Sequence, residues 1–106
     1  MKFVITFSFK EGRTEQDRED ERKVFRAWEP DPSVTFHQFV QRLDASGVAV
    51  VETDDLAPLL TTVALFGRWI TFAIDPVMDV DALGPVVDKA RGQVAAALGK
   101  TGPDEG

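Results

Sequence analysis

His37 has the most obvious chemical potential in this sequence, because it is the single histidine among 106 residues. A histidine can change charge near neutral pH and can serve as a general base or as an axial ligand to a haem iron. It falls within a predicted strand over residues 33–43, and strand alternation puts it on the same face as Thr35, Phe39 and Gln41. If that face lines a pocket, His37 and Phe39 would contact a ligand. The alternative is a strand histidine that is hydrogen-bonded or exposed and does no chemistry.

Glu52 is the second candidate, since it interrupts the apolar run of residues 48–51 at the end of a predicted strand. A carboxylate at the edge of a sheet and close to a helix start could bind a ligand hydroxyl or act as a base. Alternatively, Glu52 pairs with an arginine such as Arg42 or Arg68, because buried or half-buried acids are usually paired.

Trp69 is the third candidate, as a flat apolar wall for a ligand, although a tryptophan is more often a core or interface residue. Metal chemistry is not expected. The chain has no cysteine and one histidine, and its aspartates do not follow the spacing of a calcium loop. The sequence contains no nucleophile elbow and no phosphate-binding glycine loop, so we predict no cofactor.

Composition restricts the class of protein. The chain is 43% hydrophobic and 28% charged, as in an ordinary globular domain, which we place at residues 1–98 with a disordered tail at 99–106. Its net charge of −6 repels phosphate backbones, so nucleic acid is not an expected partner. No apolar stretch is long enough to span a membrane. The short apolar run at residues 1–9 fits a first strand better than a signal peptide, and we predict a cytoplasmic location.

The hydrophobic pattern predicts the elements in order. Alternation indicates a strand at residues 2–9, and a helix then follows a capping box at Thr14. Residues 15–23 contain no apolar side chain, so the first half of that helix should be solvated or frayed. The turn at residues 44–47 joins the strand over 33–43 to another over 48–53.

The second half of the chain continues the pattern. Thr53 or Asp54 should cap a helix whose buried stripe is Leu56, Leu59, Leu60, Val63 and Ala64. A strand over residues 69–75 should end at Pro76. A last helix is predicted over residues 81–98, weakened by Gly84, Pro85 and Gly92, with an apolar side made of Leu83, Val86, Val87, Ala90, Val94 and Leu98.

The order β-α-β-β-α-β plus a C-terminal helix predicts an α+β, ferredoxin-like fold with a four-stranded antiparallel sheet. Helices on one face leave the other sheet face uncovered, although it carries apolar side chains. We therefore expect a homodimer through the open sheet face, with the two sheets facing each other as an α+β barrel.

Three blocks of sequence resemble a known family. They are residues 1–6 (MKFVIT), residues 47–55 (GVAVVETDD) and the pattern of Phe66, Trp69, Phe72, Ile74 and Pro76. The chain resembles the bacterial domain-of-unknown-function family 3303, within the dimeric α+β barrel superfamily. The resemblance implies a dimeric α+β barrel and supplies no established activity.

Two functions from different classes follow. The first is a non-catalytic dimeric module that binds a small apolar ligand or a protein partner. The alternative is a cofactor-poor enzyme, such as a monooxygenase, isomerase or cyclase, acting on a hydrophobic oxygenated substrate. In that enzyme His37 would be the base, Glu52 would orient the substrate, and Phe39 and Trp69 would form an apolar wall. A cavity with converging polar groups would favour the enzyme, whereas a filled interior would argue against it.

Overall fold

The computed structural model describes residues 1–99, and the predicted tail, apart from Gly99, lies outside this range. Seven elements follow one another: β1 (Lys2–Phe9), α1 (Glu15–Ala27), β2 (Thr35–Gln41), β3 (Gly47–Glu52), α2 (Ala57–Phe66), β4 (Ile70–Val77) and α3 (Val80–Ala97). All strand pairs are antiparallel and the sheet order is β2-β3-β1-β4. The predicted α+β, ferredoxin-like fold is confirmed.

The two faces of the sheet differ because side chains alternate along each strand. Phe3, Ile5 and Phe7 of β1 are buried against the helices, and Ala49 and Val51 of β3 lie beside them. We call this the helix face. The opposite face, here called the open face, carries the intervening residues of each strand and has no helix over it. Its apolar side chains are Val4, Val40, Val48, Val50, Ala73 and Val77.

The predicted register of β2 is wrong beyond His37. Phe36 pairs with Val51 and Gln38 pairs with Val50, so His37 is the extra residue of a β-bulge. A bulge reverses the alternation that follows it. Phe39 and Gln41 therefore lie on the helix face, whereas His37 lies on the open face.

The β2–β3 turn forms at the predicted place. Asp44 Oδ1 accepts from both the backbone N–H and the hydroxyl of Ser46, at 3.0 and 2.6 Å. These bonds lower the pKa of the Asp44 carboxyl, first through the Ser46 hydroxyl and then through its N–H. Gly47 begins β3 where only a glycine fits, because a Cβ there would meet the Val40 carbonyl and lie 2.5 Å from the Phe7 ring.

Helix α2 buries a different stripe from the predicted one. Leu59 and Phe66 are buried, with Thr62 and Val63 half-buried between them, whereas Leu56 and Leu60 are 56% and 64% exposed. The predicted caps are also wrong. Asp55 Oδ1 accepts the Ala57 N–H at 2.9 Å, while the Thr53 hydroxyl bonds within its own turn.

Helix α1 begins with the predicted capping box. The Thr14 hydroxyl accepts the Asp17 N–H at 3.1 Å, and Asp17 Oδ2 accepts the Thr14 N–H at 2.9 Å. The Thr14 N–H is the main reason that the pKa of Asp17 lies below its ordinary value. The charged run is helical from residue 15, and no residue of α1 is fully buried.

Strand β4 runs through Pro76, where we expected it to stop. Because β4 is an edge strand that pairs only with β1, a residue without an N–H can be accommodated there. Val80 then starts α3, close to the predicted position. Every residue of α3 except Ala95 is exposed, so this helix is not packed on the rest of the described chain.

Candidate functional site

A cavity of about 280 Å³ lies between the helix face of the sheet and helices α1 and α2. The sheet provides its floor through Ile5, Ala49 and Ile74, and α2 provides one wall through Leu59 and Val63. These residues belong to the apolar sides of their elements, so the same pattern that builds the core also makes the cavity apolar.

Aromatic side chains provide most of the remaining wall. Seven of the eight phenylalanines and one of the two tryptophans contact the cavity. Several of the rings lie within 5.7–6.2 Å of one another, in a continuous chain whose members in order are Phe7, Phe39, Phe36, Trp28 and Phe66. These ring pairs pack at their usual separations, so the aromatic side chains of the wall support one another.

Phe25 and Phe39 mark the less covered side of the cavity. Their side chains are 49% and 48% exposed, although both line the cavity. Phe25 also lies 6.3 Å from the Phe66 ring, so α1 and α2 meet there through aromatic contacts. Because α1 buries no residue completely, its contact with the domain depends largely on Val24, Phe25 and the capping residue Trp28.

The polar groups that reach the cavity are mostly engaged with neighbouring chain. Arg22 Nε donates to the Arg18 carbonyl, the Gln41 amide donates to the Ala45 carbonyl, and the Thr62 hydroxyl donates to the Pro58 carbonyl. Asp31 accepts from the hydroxyl and N–H of Ser33, which lower its pKa in that order. These local bonds leave few polar groups to converge on a ligand.

His37 and Glu52 come together outside this cavity. His37 Nε2 lies 2.9 Å from Glu52 Oε1, and the two side chains are 42% and 52% exposed. Glu52 pairs in register with Thr35 and Lys2, which puts this dyad on the open face. Glu52 is therefore paired, as one of the two interpretations of the sequence predicted. Its partner is His37, and not Arg42 or Arg68.

A second ion pair lies near the dyad, at the start of α3. Lys2 Nζ donates to Asp79 Oδ1 at 2.7 Å. This hydrogen bond raises the pKa of Lys2 and lowers the pKa of Asp79. Nearby Glu52 further raises the pKa of Lys2, and nearby His37 further lowers the pKa of Asp79. The four groups lie together in a polar patch on the open face and at the start of α3. Within residues 1–99 no three histidine, aspartate or glutamate side chains gather in a way that could hold a metal ion.

Trp69 is buried and belongs to a core cluster with Phe7, Phe66 and Ile70. It does not line the cavity, so its indole is not brought together with Phe39 or with the His37–Glu52 dyad. Its Nε1 lacks a partner at hydrogen-bonding geometry, although the indole N–H contributes, after Thr14, to lowering the pKa of Asp17.

The four sequence-predicted site residues thus occupy three places. Phe39 lines the cavity, His37 and Glu52 form the dyad on the open face, and Trp69 is in the core. Sequence reasoning missed Phe36 and Trp28 as cavity residues. The signal for Phe36 is its two-residue spacing from Val34, which also lines the cavity, and the bulge at His37 breaks that spacing before Phe39.

These observations define a small ferredoxin-like α+β protein with an aromatic cavity between its sheet and two helices. The chain belongs to the family described as "Domain of unknown function (DUF3303)", whose model matches residues 1–91. This match confirms the family that the three sequence blocks indicated. No curated protein matches the chain. None of the described helices is long and apolar enough to cross a membrane.

Proposed function

We propose that this protein is a non-catalytic module that binds a small apolar molecule in the aromatic cavity. The observation that carries the proposal is the cavity itself, about 280 Å³ and walled by phenylalanine, tryptophan and aliphatic side chains. Ligand sites are typically concave, apolar and already formed before the ligand arrives.

The volume indicates the size of the ligand. An apolar cavity of roughly 150 Å³ accommodates benzene, so a cavity of nearly twice that volume suits two fused rings or an equally bulky aliphatic group. Most polar side chains at the cavity are engaged with neighbouring groups, Glu21 being the exception, which favours a ligand with at most one or two polar atoms. The affinity expected for so small a ligand is modest, with a dissociation constant of roughly micromolar to millimolar.

An enzyme that uses the cavity has less support. A general base must lie within hydrogen-bond reach of the substrate, directly or through one water. His37 and Glu52 lie on the open face, and Phe39, which was to form the wall beside them, lies on the other face. The monooxygenase, isomerase or cyclase alternative would therefore have to use the open face, where the dyad lies but the described chain provides no aromatic wall.

Isothermal titration calorimetry with 2-naphthol tests the proposal. Val63→Trp places an indole in the cavity and should weaken binding at least about tenfold, since the ligand and the indole compete for one space. Leu60→Trp is the matched control on the same helix, because Leu60 is 64% exposed and does not line the cavity. The proposal fails if the wild-type chain does not bind 2-naphthol, or if Val63→Trp binds it as well as Leu60→Trp does.

His37→Ala separates the two functional hypotheses. A ligand bound in the cavity should be unaffected by this change, because the dyad lies on the other side of the sheet. A loss of naphthol binding in His37→Ala, with the fold intact by circular dichroism, would favour the enzyme hypothesis and its site on the open face.

A further inference from the structure

Helix α3 is not packed on the other elements of the described chain. It has 18 residues and buries only Ala95, while the remainder of the helix is exposed on all sides. Its sequence includes Gly84, Pro85 and Gly92, the two residue types with the lowest helix propensity. Most helical stability in proteins comes from packing an apolar face, so a weak helix of this kind requires a surface to pack on.

An apolar stripe runs along one side of α3. Leu83, Val87, Ala90 and Val94 recur at helical spacing, and the large members of this set are 41–58% exposed. The opposite side carries Asp81, Asp88 and Gly92. A helix with one apolar stripe and one polar side is built to lie on an apolar surface and not to project into solvent.

The open face of the sheet is the matching unpartnered surface. Val4 and Val50 lie side by side at its centre, and Val48 and Val77 lie around them, all four only half-buried. Four strands span about 14 Å and an eight-residue strand about 26 Å. An 18-residue helix is about 27 Å long and 10 Å across, so one helix covers most of this face.

The solvent-exposed area of the chain is larger than that of a compact monomer of the same mass. The chain exposes 7812 Å², whereas a compact monomer of 11.7 kDa exposes roughly 5,900 Å². The unpacked α3 and the open face of the sheet both contribute to this excess, and a standard interface buries roughly 800 Å² on each partner.

We propose that α3 lies across the open face of a second copy of the chain, and that the second copy returns the same contact. Each chain has one helix with an apolar stripe and one uncovered sheet face. A two-fold dimer therefore buries the stripe and the open face of both copies. The start of α3 is fixed by the Lys2–Asp79 ion pair, and only Met78 and Asp79 connect the helix to β4. This arrangement differs from direct stacking of the two sheets, because the face is occupied by a helix.

The proposal does not depend on ligand binding in the cavity, which lies on the other face. Sedimentation equilibrium of the wild-type chain should give twice the monomer mass of 11.7 kDa. Val87→Lys should weaken the dimer roughly thirtyfold or more, because a charge then lies at the centre of an apolar contact. Gly92→Lys is the control with the same added charge on the polar side of α3, and it should remain dimeric.

A mixing experiment identifies the surface that α3 contacts. Val50→Lys alters the centre of the open face and should also give monomers, with the fold retained by circular dichroism. Mixing folded Val87→Lys and Val50→Lys chains should give a heterodimer that is weaker than the wild-type dimer and stronger than the dimer of either variant. One of its two contacts joins an intact α3 to an intact sheet, whereas the other carries both lysines. A monomeric wild-type chain, or a dimer that either Val87→Lys or Val50→Lys leaves intact, would overturn the proposal. An intact Val87→Lys dimer would indicate direct stacking of the sheets.

Discussion

His37 Nε2 lies 2.9 Å from Glu52 Oε1, and the two residues meet on the open face, where Thr35, two residues before His37, pairs with Glu52. Without the bulge, the alternation of β2 would group His37 with Phe39. The bulge instead places Phe39 on the helix face, away from His37. Neither His37 nor Glu52 lines the cavity, and the dyad is a feature of the open face.

The dyad should contribute little to stability. Both side chains are about half exposed, and exposed ion pairs are typically worth about 0.2–1 kcal/mol. A double-mutant cycle of His37→Gln and Glu52→Gln, measured by urea unfolding, should give a coupling within that range that diminishes at high salt. A coupling of several kcal/mol would mean that α3 of the second copy covers the dyad as well as the valines at the centre of the open face.

Gly47→Ala should destabilise the protein. The new methyl group would lie 2.5 Å from the Phe7 ring and meet the Val40 carbonyl, both of which are held by the sheet. Overpacking of this kind typically costs about 1–3 kcal/mol. Chemical denaturation would measure the loss, and an unchanged free energy of unfolding would show that the hairpin turn relaxes to make room.

Gly92→Ala should have the opposite effect. No atom lies within 4 Å of the position where the new Cβ would stand, and alanine has the higher helix propensity by about 1 kcal/mol. Helicity by circular dichroism and the melting temperature should both rise. A fall in either would indicate that another chain packs closely against this side of α3, which would contradict the polar side assigned to it.

Acid should weaken the start of α1. The Thr14 N–H lowers the pKa of Asp17, so the unfolded state binds this proton more tightly than the folded state does. The stabilisation is complete above the ordinary pKa of an aspartate and is lost as the pH falls through the lowered value. Asp17→Asn should therefore cost stability at neutral pH and little at strongly acidic pH.

The capping box also has a functional consequence, since α1 holds Phe25 and Trp28 at the cavity. Thr14→Ala removes the hydroxyl that accepts the Asp17 N–H and should cost about 1 kcal/mol. Naphthol affinity should fall with it if α1 frays. An affinity that is independent of both Thr14 and Asp17 would show that the cavity does not need the first turn of α1.

Much of the fold could be predicted because strand alternation and helix spacing are local properties. The alternation of Phe3, Ile5 and Phe7 correctly indicated the buried face of β1, and the Thr14 box correctly indicated the start of α1. The bulge at His37 could not be predicted, since it depends on pairing with Val50 and Val51 of β3. For the same reason, Phe39 was assigned to the wrong face.

The stripe on α2 was misjudged for a related reason. Leu56, Leu60 and Leu59 are equally apolar, and only the direction from which the sheet approaches decides which of them is buried. The cavity could not be predicted at all, because it is a gap between three elements and not a property of any one. The two-residue connection between Val77 and α3 likewise gave no indication that the helix would lie away from its own sheet.

Isotope-filtered nuclear Overhauser measurements on the protein with bound 2-naphthol would show whether the ligand binds in the aromatic cavity. Val4 and Ile5 are neighbours on β1 that face opposite sides of the sheet, which makes them a built-in comparison. If 2-naphthol binds in the cavity, we expect contacts from its protons to the methyl groups of Ile5, Leu59 and Ile74, and none to Val4 or Val50. Contacts to Val4 and Val50 without contacts to Ile5 would contradict it, and would place the ligand on the open face beside His37.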